Sequence, residues 1–550
     1  KTGVTRSEPE RMTDAIMTGT FDDNGGAGTA DSGSQARVAA FLADPESYPD
    51  RPRSVDMIET HGARVFLAGP RAYKIKRAVK YDYLDFSTLA KRRAALEKEF
   101  AINHPHAPAI YQEVVAITER ADGGLAIAGA GEPVEWALVM ARFDQADLLS
   151  AVAARSDLDT TLAERVADAI AAYHEGSPCV TDIPGAARIE RTVTHLATSG
   201  LTDPELAGPD DLAHWEHLAR QHLEANRSLL DERARAGAVR LAHGDLHLAN
   251  IVVIDGAPNL FDAIEFDDAI RTVDVLYDLA FLVMDLEAKG CRPAANAILN
   301  RYLTRPGGDA DLDAVALLPL FLSLRAAIRA MVASQRARLA TADLAPTAFR
   351  EARDYFKNAT GFLTPAAPRL VAVGGLSGTG KTTLARALAP DIGPAPGALL
   401  VRTDNERKRL FGVPETTCLP PESYTPAASE AVYAAVFARA ARIIAAGHSA
   451  ICDAVFSKQD ERDKAAAIAA GAGVPFDGLW LEAPPETMRA RVAARTGDAS
   501  DATPAVVDAQ LAAAPAAIAW PRITAGAGPE LTLAKARDTL GHQNRTAAPA

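Results

Sequence analysis

Along residues 35–145 the apolar positions fall in short runs, with helical intervals between them. A helix is expected from near Gln35 to just before Asp44-Pro45. β-type runs follow at Val55–Glu59, Ala63–Leu67 and Ala72–Ile75. Gly69-Pro70-Arg71 supplies the turn of a hairpin between the last two. Leu89–Asn103 reads as a helix rich in Lys, Arg and Glu, and Tyr111–Ile117 and Glu135–Met140 complete a small β-rich lobe. From Leu148 the pattern is mostly helical, with runs at Leu158–His174, His214–Arg235 and Asp311–Arg338. Residues 239–268 interrupt it with short strands and loops. Val252–Ile254 and Leu260–Ile264 are expected to pair around the turn Asp255-Gly256-Ala257-Pro258.

Beyond Thr364-Pro365-Ala366-Ala367-Pro368 the rhythm changes. Arg369–Gly374 reads as a buried strand, followed by a helix at Thr382–Ala389. Strand-like pieces at Ala398–Thr403, Ala450–Ala454 and Gly478–Glu482 alternate with helical runs at Ala428–Ala446 and Gln459–Ala470. Such alternation predicts a parallel sheet with crossover helices. Residues 1–34, rich in Gly, Ser, Thr and Asp, are expected to be a flexible lead. The division expected is a lead at 1–34, a first domain at 35–360 (β lobe 35–145, helical lobe 146–360), a linker at 361–368, a second domain at 369–540 and a tail at 541–550.

A chain of 550 residues is too long for one core. Its 48% hydrophobic and 23% charged residues are ordinary for globular domains. A net charge of -13 argues against nucleic acid, whose binding depends on Lys and Arg neutralising phosphates. Cys179, Cys291, Cys418 and Cys452 lie far apart, in no metal-like spacing, and are expected to be free thiols in a reducing compartment. No run of 18 apolar residues and no signal segment is seen, so a soluble cytosolic protein is expected, with no membrane partner.

Two stretches carry phosphate chemistry. Gly375-Leu376-Ser377-Gly378-Thr379-Gly380-Lys381-Thr382 is a complete GxxxxGK[ST] phosphate loop, between a strand and a helix. Its glycines let backbone N–H groups turn toward phosphate. Lys381 would reach the β- and γ-phosphates of ATP, Thr382 would offer its hydroxyl to Mg2+, and Thr383 continues the contact at the helix start. In Val401–Lys408, Asp404 sits at a strand end, where it can orient or deprotonate an acceptor hydroxyl. Arg407 and Lys408 would hold an anionic acceptor. Asp453 ends the apolar strand Ala450-Ile451-Cys452 and suits a Mg2+ carboxylate. Arg491 and Arg495, four apart on one helical face, are expected to close over the phosphates. With GGLSGTGKTTLARAL, RTDNERKRLFG, CDAVF, WLEAP and RVAARTGDASDA, the region 369–535 resembles small-molecule and nucleotide kinases of the phosphate-loop class, including gluconate kinase-like and chloramphenicol phosphotransferase-like proteins. The resemblance implies phosphoryl transfer from ATP to a small hydroxyl compound.

The second stretch is His243-Gly244-Asp245-Leu246-His247-Leu248-Ala249-Asn250. An Asp and an Asn five positions later suit a kinase-type catalytic loop, in which the Asp takes the acceptor proton and the Asn holds Mg2+. His243 would brace the loop. A further metal carboxylate is required after the strand pair. Asp262 and Glu265 both qualify, and Glu265, at the strand exit, is favoured because strand residues alternate faces. Asp278 is expected to brace the loop.

HGDLHLAN, DAIEFDDA and VLYDLAF together resemble the aminoglycoside phosphotransferase and choline kinase-like superfamily over roughly 36–360. The resemblance implies a bilobal protein-kinase-like fold, with a β-lobe lysine on the phosphates paired to a helix glutamate. Lys74 is preferred over Lys76, and Glu99 over Glu97; Met140–Phe143 would contact adenine. The chain departs from that pattern in having Glu265 where relatives have Asp, and in lacking a clear glycine-rich cover, since Gly69 stands alone. The whole tandem resembles bacterial proteins in which such a domain is fused to a phosphate-loop domain. The expected function is ATP-dependent transfer to a small hydroxyl-bearing substrate at two nucleotide sites. The competing expectation is a regulatory protein in which ATP binding acts as a switch.

Overall fold

The computed structural model describes residues 29–546 apart from 61, 82–83, 306, 342–343, 496, 514–516 and 527. It forms two compact units. The first holds the described residues up to Lys289 together with Leu320–Leu363, and the second holds Gly290–Pro319 and the described residues from Thr364 onward. The expected lead lies outside the described residues as far as residue 28. A helix, α1 (Thr29–Ala43), begins earlier than the sequence pattern suggested.

In the first unit, β1 (Val55–Glu59), β2 (Ala63–Ala68) and β3 (Arg71–Lys76) form an antiparallel meander. A two-residue-strand hairpin, β4 (Lys80–Tyr81) and β5 (Leu84–Asp85), leads to α2 (Leu89–Asn103). Thr88 caps α2 by accepting from the Lys91 N–H at 3.4 Å. Strands β6 (Tyr111–Glu119), β7 (Leu125–Ile127) and β8 (Glu132–Ala141) complete a six-stranded sheet in the order β1-β2-β3-β8-β6-β7. Phe66, Tyr73, Ile75, Val115, Ile117, Ala137 and Val139 form one core of this lobe, with Val38 and Leu42 of α1 packed in.

The helical lobe opens with α3 (Leu149–Ala154), α4 (Thr160–Gly176) and α5 (Gly185–His195). The expected helix His214–Arg235 is two, α6 (Pro209–Ala225) and α7 (Arg227–Arg235), separated by Asn226. The expected strand pair is also shifted. After β9 (Val239–Leu241), β10 (Ile251–Ile254) pairs with β11 (Ala257–Leu260), and Ile254 faces Ala257. The turn is Asp255-Gly256 alone, with φ +49° and +77°. Positive φ at both positions is the tight hairpin turn that matches strand twist, so β11 starts at once and ends by Leu260. Asp262 and Glu265 therefore lie beyond the strand, and the alternation argument that separated them does not apply.

Then come α8 (Asp268–Arg271), β12 (Thr272–Asp274), paired with β9, and α9 (Val275–Ala288), all but its last residues buried. Asp274 caps α9, accepting from the Leu276 N–H at 2.8 Å, and is itself clamped by Arg233 at 2.7 and 2.8 Å. The segment Gly290–Pro319 carries α10 (Arg292–Thr304). The expected helix Asp311–Arg338 is broken at its start into 3-10 turns before α11 (Leu318–Leu339). By length and composition Gly308–Leu339 would pass for a membrane span, but it is mostly buried within the protein, as a core helix is. The first unit closes with α12 (Ala345–Phe362).

The second unit is a five-stranded parallel sheet. Its strands are β13 (Leu370–Gly375), β14 (Leu399–Arg402), β15 (Ala450–Asp453), β16 (Phe476–Glu482) and β17 (Arg522–Thr524), in the order β14-β15-β13-β16-β17. The helices are α13 (Lys381–Leu388), α14 (Thr403–Leu410), α15 (Pro426–Ala445), α16 (Gln459–Gly471), α17 (Pro485–Ala493), α18 (Pro504–Ala512) and α19 (Pro529–Thr546). Every residue of β13 is buried, as a central parallel strand requires. Helix α19 runs through most of the expected tail, with Ala536 and Leu540 in the core.

The two units divide between Leu363 and Thr364, inside the expected linker, but Gly290–Pro319 of the expected first domain belongs to the second unit, where α10 packs on edge strand β14. The Asn300 side-chain amide accepts from the Leu400 N–H at 2.7 Å and donates to the Ala398 carbonyl at 3.2 Å, and Asn296 donates to the same carbonyl at 3.0 Å. Side chains thus satisfy the free edge of the sheet where another strand would otherwise sit.

Candidate active sites

In the first unit the catalytic-type loop is tied down from three sides. Asp278, fully buried on α9, accepts from the N–H groups of His243 (3.1 Å) and Gly244 (2.9 Å) and lies 3.2 Å from His174 Nε2. Burial opposes its ionisation, but His174, His243 and Arg325 outweigh that and hold its carboxyl below the usual range. Arg325 of α11 donates to the Gly244 and Tyr277 carbonyls. His243 Nε2 lies 3.0 Å from the Phe261 carbonyl, and Phe261 N–H donates to the Asn250 carbonyl at 3.1 Å. The bracing expected of His243 and Asp278 is what these contacts describe. Asn250 Nδ2 donates to Asp245 Oδ2 at 3.0 Å, so the two residues five apart do meet.

Facing this loop is a chain of charges. Lys74 Nζ lies 2.9 Å from Glu99 and 3.1 Å from Asp262, and Lys76 Nζ lies 2.8 Å from Glu99 and 2.6 Å from Glu265. Glu99 is fully buried and holds both lysines, whereas Glu97 sits at the surface with Arg93. Burial works against ionisation of Glu99 and Asp262, yet the lysines pull both carboxyls below their ordinary values. Asp262 has φ +62°, a left-handed conformation that costs a non-glycine residue about 1–3 kcal/mol and tends to persist at functional sites. Its N–H donates to Tyr111 Oη at 3.0 Å, and the next N–H, of Ala263, donates to Asn103 Oδ1 at 2.9 Å. Both acidic candidates thus reach one cluster, and the Asp262 side chain is the more open, at 24% against 9%.

In the second unit the phosphate loop leaves the central strand and enters α13. Gly378 has φ +83°, and a Cβ there would come within 2.5 Å of the Met488 carbonyl, so only glycine fits. Lys381 Nζ turns back onto the Leu376 carbonyl at 3.0 Å, and burial lowers its pKa. The Ser377 N–H is met by Gln510 Oε1 at 2.7 Å, an oxygen in the direction a phosphate oxygen would use. Thr382 donates to Asp453 Oδ2 at 2.5 Å. Arg402, at the end of β14, lies 3.5 Å from both Thr382 Oγ1 and Asp453 Oδ2 and 3.1 Å from Asp498. Asp404, on the first turn of α14, makes no hydrogen bond among the described residues. Burial raises its pKa, with Arg402 and Lys381 pulling the other way.

Other expected contacts differ. Helix α17 ends at Ala493, so Arg491 and Arg495 do not share a helical face. Arg491 donates to the carbonyls of Gly378, Thr379 and Ala525, which places it behind the loop; Arg495 is close enough to Lys381 to influence its charge. Lys408 is buried and committed to Asp501 and the Thr417 carbonyl, both at 2.5 Å. Arg407 donates to the Ser423 carbonyl at 2.6 Å and lies over the Tyr424 ring. Both therefore fasten the segment 414–424 to α14.

Arg402 and Gln510 were not singled out from sequence. Arg402 stood two residues before Asp404 at a strand end, a usable signal. Gln510 carried none. The chemistry at both sites fits Mg2+ with ATP. Buried Asp245 Oδ1 has no hydrogen-bond partner among the described residues, and the phosphate loop leads into a Thr382–Asp453 pair of the kind that holds Mg2+. Among the described residues no three His, Cys, Asp or Glu side chains form a metal cage.

A family model described as "AAA domain" matches residues 370–516. Uncharacterized protein Rv2004c of Mycobacterium tuberculosis is 32% identical over 484 residues, covering 86% of this chain and 92% of that protein. Uncharacterized protein Mb2027c of Mycobacterium bovis matches to the same extent. Among solved structures, a sugar kinase from Janibacter sp. is 25% identical, covers 32% of this chain and 95% of its own, and has a TM-score of 0.23. A choline/ethanolamine kinase family protein from Mesorhizobium loti is 15% identical, covers 60% and 99%, and has a TM-score of 0.35.

Proposed function

The chain belongs to one family with these mycobacterial proteins, and we propose that it is an ATP-dependent phosphotransferase with two kinase-type sites, each acting on the hydroxyl of a small molecule. The observation that carries this reading is the Lys74–Glu99 pair in the same unit as the bonded Asp245–Asn250 loop. A lysine steadied by a helix glutamate is the arrangement that holds nucleotide phosphates in kinases.

In the first unit Lys74 would hold the phosphates, Asn250 and Asp262 would hold Mg2+, and Asp245 takes the hydroxyl proton. The acceptor oxygen then bonds to the γ-phosphorus as the bridge to the β-phosphate breaks, releasing ADP. Bound Mg2+ supplies charge neutralisation on the phosphate oxygens. Asp262 replaces Glu265 in this assignment. What supports it is the contact with Lys74, the left-handed backbone, the greater openness, and the tie of neighbouring Phe261 to both His243 and Asn250. Glu265 serves instead as the counter-charge of Lys76. In the second unit Lys381 holds the phosphates, Thr382 and Asp453 hold Mg2+, and Asp404 is the base. Its raised pKa brings it toward working pH, where a general base is most effective.

The test is ³²P transfer from ATP to sugars, sugar acids, amino alcohols, aminoglycosides and nucleosides, with K381A and D245N separating the sites. In the K381A protein, D245N or D262N lowers transfer by about 10²–10⁴, and E265Q retains most of it. Equal transfer by K381A and K381A/D245N contradicts catalysis by the first unit. Loss in E265Q with retention in D262N reverses the metal assignment.

A further inference from the structure

Around Asp245 the first unit holds further polar groups that the proposed nucleotide chemistry leaves unassigned. Asp245 Oδ2 faces Asn250 and lies 3.4 Å from His247 Nε2. Four buried atoms have no hydrogen-bond partner among the described residues: Asp245 Oδ1, His247 Nε2, Asp285 Oδ1 and Tyr355 Oη. Asp285, on α9, spends its other oxygen on the Leu248 N–H at 3.1 Å, which anchors it to the catalytic-type loop. Folded proteins rarely leave several buried polar atoms unpaired in one place, and such groups call for a ligand or water.

Arg329 of α11 stands beside them. Its guanidinium carbon is 5.5 Å from the centre of the Tyr355 ring, and among the described residues no carboxylate pairs with it. Burial works against its charge, and Tyr355, Asp285 and Asp245 more than compensate, so it stays cationic. Arg325, one helical turn earlier, differs: it is spent on Asp278 and on backbone carbonyls. Arg329 is thus a fixed cation near the base, turned toward Tyr355, and its planar fork can serve a planar or tetrahedral anion beside it.

We propose that Asp285, Arg329 and Tyr355 form the acceptor pocket of the first site, and that its acceptor is a polyhydroxy compound bearing a carboxylate or phosphate ester. Each part of that compound has a counterpart. The reacting hydroxyl gives its proton to Asp245 Oδ1. A second hydroxyl donates to Asp285 Oδ1, a carboxylate oxygen and thus an acceptor. The anion meets Arg329. An acceptor with an ammonium group and no anion would place a second cation beside Arg329 and leave that guanidinium unpaired. The proposal rests on the reading of the first unit as a kinase.

The test uses full-length K381A protein with a non-hydrolysable ATP analogue and Mg2+, titrated by calorimetry with D-gluconate, D-glucose 6-phosphate, D-glucose and ethanolamine. One of the two anionic probes should bind at least tenfold more tightly than glucose or ethanolamine, and which one distinguishes carboxylate from phosphate. R329Q should weaken that probe at least tenfold and leave analogue affinity within twofold. R329K should recover part of the loss, and D285N should weaken the probe by a smaller factor. Binding of neither anionic probe, binding indifferent to R329Q, or equal binding of glucose or ethanolamine overturns the proposal. Failure of the analogue itself to bind the K381A protein overturns the kinase reading of the first unit, which is a separate result.

Discussion

Two carboxylates, the buried Glu99 in the first unit and the half-buried Asp404 in the second, show how differently the two sites are built. Glu99 is clasped by Lys74 and Lys76, and its pKa is lowered despite burial. Asp404 has no hydrogen-bond partner among the described residues, and burial raises its pKa. The first site is assembled from ion pairs that already exist before substrate arrives. In the second, Lys381 rests on a backbone carbonyl and Asp404 stands unpaired among the described residues, while Arg402 lies 3.5 Å from Asp453 and 3.1 Å from Asp498. A carboxylate is thus locked into ion pairs in one unit and left without a hydrogen-bond partner among the described residues in the other.

The largest effect that could break this contrast is E99A. It leaves two buried ammonium groups close together without their shared counter-charge, a loss of about 3–5 kcal/mol. Urea unfolding of the full chain should show the first unit's transition shifted by that amount, and an unchanged transition would mean the pairs are idle. N300A comes next. It strips the Leu400 N–H and the Ala398 carbonyl of a buried partner on the sheet edge, costing the second unit about 1–3 kcal/mol. If hydrogen exchange at Leu400 is no faster in N300A, α10 is not what secures that edge.

The smallest effect has the opposite sign. A carboxyl whose folded pKa is raised loses stability as pH rises through that value, because the fold disfavours its ionised form. D404N should therefore raise the second unit's thermal midpoint near pH 7.5, by about 0.5–1 kcal/mol of stability, and give no gain near pH 4. Glu99, Asp262 and Asp278 behave in the reverse sense. Their folded pKa values are lowered, so their contribution is present above the ordinary carboxylate value of about 4 and fades as pH falls below it. A D404N protein less stable than wild type at pH 7.5 would remove the contrast.

What could be read from the chain beforehand followed local rules. The meander from Val55, the helix Leu89–Asn103 and the loop between Gly375 and Lys381 depend on periodicity and glycine placement, and they stand where the pattern put them. The Asp245–Asn250 contact also follows from spacing along one loop. What stayed illegible depends on backbone geometry or distant partners. That Asp262 and Glu265 lie beyond the strand, where alternation of faces does not separate them, follows from Asp255-Gly256 turning the chain in two residues and the strand ending at Leu260. The roles of Arg407, Lys408 and Arg491 hinge on Ser423, Asp501 and Ala525, which no short-range pattern ties to them. Helix α10 sits between two helices of the first unit in sequence, yet its asparagines answer the edge of the second unit's sheet.

The central claim is that one chain carries two separate ATP sites. Calorimetric titration of full-length protein with a non-hydrolysable ATP analogue and Mg2+ tests it most directly. The account predicts two sites per chain in the wild type, one in K381A, one in a variant with Lys74 replaced by Ala, and none in the double variant. A single site in the wild type, or a K381A protein that still binds two, would contradict it.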